Sequence, residues 1–259
     1  MNTLPNISTR NWLNKVPEVT VFFWIIKMMS TTLGETAADF LNGSLNFGLI
    51  ATTVVVGVLF VIALLFQIRA KSHIPSAYWI TVVFVSVFGT LITDNLSDNL
   101  GVPLAVSTGL FSAALALTFA VWYSKEKTLS IHSIDTIKRE LFYWVAILFT
   151  FALGTAAGDW FAESLSLGYA NSALLFGGLI AATAFAYYVF NADAVGCFWV
   201  AYVLTRPFGA SCGDLVSQPL SNGGLGLGTI GTSAIFLVTI AGLVAYLTAT
   251  QKYQNEQLP

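Results

Sequence analysis

The chain has 259 residues, 56% of them hydrophobic and only 9% charged, with a mean hydropathy of +0.76. Soluble domains carry about 25% charged residues, so the composition excludes an ordinary water-soluble protein and leaves little chain for a soluble domain. A net charge of −2 without any basic run gives no footing for nucleic-acid binding.

Residues 1–18 are polar, and the first apolar segment is too long for a signal h-region and carries ionisable groups, so no cleavable signal is expected. Eight apolar segments then follow at about 19–41, 47–68, 77–98, 103–123, 141–163, 171–190, 195–217 and 228–249. Each approaches the ~20 residues that cross a ~30 Å hydrocarbon core. The gaps 42–46, 99–102, 164–170 and the glycine-rich 218–227 hold no Lys or Arg. Of eleven basic residues, Arg10, Lys15, Arg69, Lys71, Lys125, Lys127, Lys138, Arg139 and Lys252 all fall on one face if the segments alternate. Lys27 and Arg206 lie inside segments. The pattern predicts both termini on the cytoplasmic side. Cys197 and Cys212 share one predicted helix, too far apart to bridge, and say nothing of redox compartment.

The segments repeat. Aromatic-Trp pairs occur at Phe23-Trp24, Tyr78-Trp79, Tyr143-Trp144 and Phe198-Trp199. Ten residues after each Trp stands a glycine (Gly34, Gly89, Gly154, Gly209), and fifteen after it an aspartate (Asp39, Asp94, Asp159, Asp214). The Trp spacings are 55, 65 and 55 residues, so the second half repeats the first at an offset of 120. The expected fold is all-α: a polytopic membrane protein of eight transmembrane helices, arranged as four parallel tandem hairpins. The repeats run about 16–75, 76–135, 136–194 and 195–250, within one transmembrane domain over 1–259.

The stretch "VPEVTVFFWIIKMMSTTLGETAADFL" resembles the first repeat of a group of bacterial membrane proteins. That family is built from four tandem two-helix repeats, each with a signature Trp, and is known as a repeat of unknown function. The resemblance covers about residues 16–250 and implies a bacterial inner-membrane location and eight helices. It implies no activity.

Two-helix repeats all enter the membrane in the same direction and are related by an axis along the membrane normal. Equivalent residues then sit at one depth, and Asp39, Asp94, Asp159 and Asp214 are expected to form a ring near the outer helix ends. Steps of four give the stripes Lys27-Thr31-Glu35-Asp39, Val82-Ser86-Thr90-Asp94-Asp98, Ile147-Phe151-Thr155-Asp159-Glu163 and Tyr202-Arg206-Ala210-Asp214-Gln218. Polarity fades inward, as in an acidic vestibule that narrows. Seven acids (the four Asp with Glu35, Asp98 and Glu163) face two bases, Lys27 and Arg206. A charge inside a membrane is costly and marks ion pathways or proton relays, so these seven are the candidate ion-binding residues.

The plainer readings are helix-end caps or interhelical polar contacts for the acids, and salt bridges to Glu35 or a ring Asp for Lys27 and Arg206. Gly34, Gly89, Gly154 and Gly209 are expected to let helices approach closely. Trp24, Trp79, Trp144 and Trp199 are expected in an aromatic belt, packed on the neighbouring repeat. His73 and His132 fall in loops, and Met28, Met29 and Cys212 read as packing. No His or Cys cluster favours a soft metal. No phosphate loop, zinc-protease motif or nucleophile–base pair is present, so no enzyme activity is expected. No cofactor is expected beyond a bound cation. The sequence points to a transporter or channel for a cation, a proton or a hard metal or alkali ion. Its partners would be the bilayer and a small cation. The alternative is a non-transporting sensor or scaffold whose outer acidic patch binds a ligand or partner.

Overall fold

The computed structural model describes residues 15–44, 48–70 and 72–256. Arg10 and Lys71 lie outside the described residues, as does part of the first hairpin turn. Among the described residues there are eight α-helices and no strand. They are α1 (Val21–Asp39), α2 (Leu49–Arg69), α3 (Pro75–Asp94), α4 (Leu104–Glu126), α5 (Ile137–Asp159), α6 (Tyr169–Phe190), α7 (Ala194–Ser217) and α8 (Gly228–Glu256). Six of them are long and apolar enough to cross a membrane on length and composition alone. The other two are α1 and α7, which carry Lys27, Glu35 and Arg206 and stand in the same ring as α3 and α5.

Local signals place the helix starts. The Thr20, Thr136 and Asp193 side chains accept hydrogen bonds from the backbone N–H groups of Phe23, Arg139 and Gly196, satisfying orphan donors of the first turn. Pro75 occupies the first turn of α3, where its missing N–H costs nothing. The Thr136 cap starts α5 at Ile137, earlier than the apolar run at 141 suggests, and α8 runs past 249 to Glu256. In the first three repeats the α-helix ends on the repeat aspartate and passes into one π-helical turn: Phe40–Ser44, Asn95–Asn99 and Trp160–Ser164. Such turns are rare and concentrate at functional sites. The fourth repeat lacks one. There α7 stays α-helical to Ser217 and stops ahead of Pro219, which biases the preceding residue away from helix.

The odd-numbered helices form a closed inner ring in the order α1, α3, α5, α7 and back to α1. Each even-numbered helix packs chiefly on the next repeat: α2 on α3, α4 on α5, α6 on α7 and α8 on α1, with α8 also touching α7 and α3. Phe88 on α3 fits against Gly57 of α2, and Phe208 on α7 against Gly177 of α6, 120 residues later. The outer helices are mostly exposed and greasy, with Val54, Val58 and Ile62 of α2 turned outward, as a lipid-facing surface requires.

Glycines bring the inner ring together. A Cβ on Gly34 would collide with Ser86, one on Gly89 with Phe151, one on Gly154 with Arg206 and one on Gly209 with Thr31. Each contact is between one repeat and the next, and the fourth returns to the first. Small residues at crossing points are the standard means of close approach in membranes, where no hydrophobic force drives helices together. The tryptophans differ from the expected belt. Trp79, Trp144 and Trp199 are buried in the central core, and Trp24 is partly buried against it. They pack between repeats, with Trp199 Nε1 donating to Leu129 O at 2.9 Å.

At Gly89 the added Cβ would lie 2.6 Å from Phe151 Cβ and 3.2 Å from the Ala152 backbone nitrogen, atoms that cannot swing aside. Gly89→Ala should therefore destabilise the protein by about 1–3 kcal/mol, the usual cost of overpacking. Gly109→Ala on α4, where nothing lies within 4 Å, should be near neutral. Thermal unfolding of both variants in detergent checks the contrast.

Candidate functional site: an acidic pit on the ring axis

The repeat positions stack into levels along the axis. Fifteen residues beyond each Trp stand Asp39, Asp94, Asp159 and Asp214; eleven beyond stand Glu35, Thr90, Thr155 and Ala210. Seven beyond stand Thr31, Ser86, Phe151 and Arg206; three beyond stand Lys27, Val82, Ile147 and Tyr202. Successive levels are about 6 Å apart at ~1.5 Å per residue.

Exposure falls along these levels. Asp98 and Glu163, on the π-helical turns, are exposed; Asp39, Asp94 and Asp159 are half-buried. Asp214 is 7% exposed and Glu35 5%, while Lys27 and Arg206 are at 1% and 0%. Burial thus deepens in the direction in which polarity fades along the stripes.

The aspartates do not form an even ring. One carboxylate oxygen each from Glu35, Asp159 and Asp214 lie within 4.8 Å of one another. Asp39 and Asp94 occupy the equivalent places on α1 and α3 but stand outside this trio, within electrostatic range of Glu35. Among the described residues, none of the four Asp side chains accepts a hydrogen bond or forms a salt bridge. They are not helix-end caps. Three of them sit at helix C-termini, where a negative charge opposes the macrodipole. The outermost acids do have side-chain donors: Ser97 Oγ to Asp98 at 2.9 Å and Tyr169 Oη to Glu163 at 3.4 Å.

Arg206 closes the pit. Its Nη2 lies 2.7 Å from Glu35 Oε2 and donates also to Thr155 Oγ1 at 2.6 Å and to Thr90 Oγ1, while Nη1 donates to Thr31 O at 3.1 Å. One guanidinium on α7 therefore ties together α1, α3 and α5. The expected salt bridge of Arg206 is present, and Glu35 is its partner.

Lys27 does not behave as expected. Among the described residues its Nζ has no hydrogen-bond partner and no carboxylate within salt-bridge distance. It lies instead 4.0 Å from the centre of the Phe151 ring and 4.3 Å from that of Tyr202. Glu35 is two turns along the same helix, about 12 Å away in rise, and is held by Arg206. Deeper still, the Tyr78 and Tyr143 hydroxyls are 2.5 Å apart.

The far end of the axis is sealed by the segment before α1. Lys15 Nζ is 2.7 Å from Glu140 Oε2 and 2.7 Å from Ile68 O, and Gln67 Nε2 reaches Glu140 Oε1 at 3.3 Å. Several basic residues at this end are ion-paired: Lys138 and Arg139 with Glu126, and Arg139 with Asp135. His73 and His132 both lie at this end, and Met28 lends a carbonyl to Thr31 and Thr32.

Thr90 and Thr155 carry part of the site without standing out as polar candidates. Their signal is positional: each occupies the level that holds Glu35 in the first repeat. Phe151 and Tyr202, members of the third and fourth stripes, gain a role only from Lys27 lying between them.

Residues 22–73, 77–128, 142–193 and 197–253 each match the family described as a Repeat of Unknown Function (DUF347). The chain belongs to this family. The comparison with curated proteins finds no match, and neither does the comparison with solved structures. The four family repeats each comprise one inner helix and the outer helix that follows it.

Removing one member of a buried ion pair strands the other and costs about 3–5 kcal/mol. Glu35→Gln should lower stability by roughly that amount. Adding Arg206→Met to Glu35→Gln should recover part of the loss, since no charge is then stranded. Denaturation of the single and double variants measures the coupling.

Proposed function

We propose that the protein is a cation transporter of the bacterial inner membrane, with both termini in the cytoplasm and the acidic pit facing outward. It is read as a carrier of ions, not an enzyme. The single observation that carries this reading is the convergence of Glu35, Asp159 and Asp214 oxygens within 4.8 Å at the foot of an acid-lined mouth. Asp214 adds a buried carboxylate with no hydrogen-bond or ion-pair partner among the described residues. Three acids against one guanidinium leave an excess of negative charge that a hard cation or protons would neutralise. Oxygen donors suit protons, alkali ions, Mg, Ca or Mn. Asp39, Asp94, Asp98 and Glu163 then serve to concentrate cations at the mouth, as acidic rings do in cation pores.

Arg206 and Lys27 lie directly below, and a fixed positive charge on the axis opposes cations. Transfer therefore requires the pair of Arg206 with Glu35 to open, which favours a carrier moving between states over a standing pore. Pro207, next to Arg206, removes one backbone hydrogen bond from the middle of α7 and supplies a weak point for such movement. The same closure supports a second reading, a sensor or scaffold that binds a cation or partner at the mouth and passes nothing.

Asp159→Asn and Asp214→Asn should each leave the fold intact, since neither carboxylate has a hydrogen-bond or ion-pair partner among the described residues. Each should weaken cation-dependent thermal stabilisation by at least about tenfold in concentration, the loss that even outer-shell partners bring at metal sites. A screen of the purified protein against Na, K, Mg, Ca and Mn identifies the ion, and flux into proteoliposomes follows. Unchanged stabilisation and flux in both variants would reject the site; stabilisation without flux in the wild type would select the sensor.

A further inference from the structure

Lys27 is the least explained side chain in the molecule. Its position, three residues after the repeat Trp, holds Val82 and Ile147 in the second and third repeats, and both are fully buried. An aliphatic residue therefore satisfies the packing at this level. The first repeat places a lysine amine there at 1% exposure, with no hydrogen bond among the described residues. Burying an ammonium without partners is among the most unfavourable arrangements a protein contains.

What Lys27 does have is two aromatic faces. Phe151 stands at the level otherwise held by Thr31, Ser86 and Arg206, and Tyr202 at the level of Lys27 itself. Their ring centres are 4.0 and 4.3 Å from Nζ, and Arg206 Cζ lies 5.7 Å from the Phe151 ring. Two rings at this distance around a desolvated charge make the arrangement by which proteins bind ammonium ligands. The rings come from α5 and α7, and the charge from α1. Departures from repeat symmetry are thus concentrated where three inner helices meet.

We propose that Phe151 and Tyr202 form a second cation site on the axis, inside Arg206, and that Lys27 is its built-in occupant, a tethered plug. The ligand class is a small alkylammonium that binds ring faces. As a stopping place on a path, the site rests on the transport reading; as a binding site, it stands on the ring geometry alone.

The test is chemical rescue. Lys27→Ala removes what amounts to n-propylammonium, so n-propylammonium chloride is the probe. In purified Lys27→Ala it should raise the melting temperature saturably by several degrees. Sodium chloride at equal ionic strength and n-propanol should not, and the wild type should not respond. Adding Phe151→Leu should abolish the rescue. Should Lys27→Ala fail to fold, Lys27→Val, which copies the second repeat, is read with ethylammonium in the same way. No amine-specific stabilisation in whichever variant folds, or rescue that survives Phe151→Leu, overturns the site. Failure of the transport reading would show separately, as absence of flux in a wild type whose variants still bind the amine.

Discussion

Gly34, Gly89, Gly154 and Gly209 hold the four inner helices at backbone contact, and the axis owes its character to that closeness. Each glycine receives the side chain of the next repeat, and the fourth receives Thr31 of the first. With helices this near, long side chains have no lateral room and must run along the axis. Arg206 can then reach three neighbouring helices at once, and Lys27 meets rings from two others. Wider spacing would admit lipid or water and dissolve both arrangements.

The axis is electrically graded. Carboxylates crowd one end, two cationic side chains lie in the middle, and Lys15 with Glu140 seals the other end. Among the described residues the four repeat aspartates have no hydrogen-bond or ion-pair partner, while Glu35, one step further in, is paired. Glu35, the deepest, is the one that holds an arginine. This follows from the cost of burying charge, which grows as water is excluded. Lys27 has no such pair among the described residues, and ring faces are what it meets there.

Much of this was legible in the residues. The fixed distances from Trp to Gly and from Trp to Asp revealed four parallel hairpins and placed the acids at one level. Three things were not legible. The packing of α2 on α3 and of α8 on α1 is invisible, because a repeat fixes what each unit is and not which neighbour it meets. The pairing of Glu35 with Arg206 and not Lys27 depends on reach across helices 171 residues apart in sequence. The π-helical turns after Asp39, Asp94 and Asp159 have no signature in residue type, since Phe, Asn and Trp follow in turn.

The offset packing has a consequence for how the molecule is made. A chain leaves the ribosome N-terminus first, and among the described helices α1 finds its outer cover in α8, the last of the eight to emerge. Until then α1, the helix with Lys27 and Glu35, has a bare flank in the bilayer. The circle is latched by its final segment, so truncation at the C-terminus opens the oldest part of the structure and not the newest.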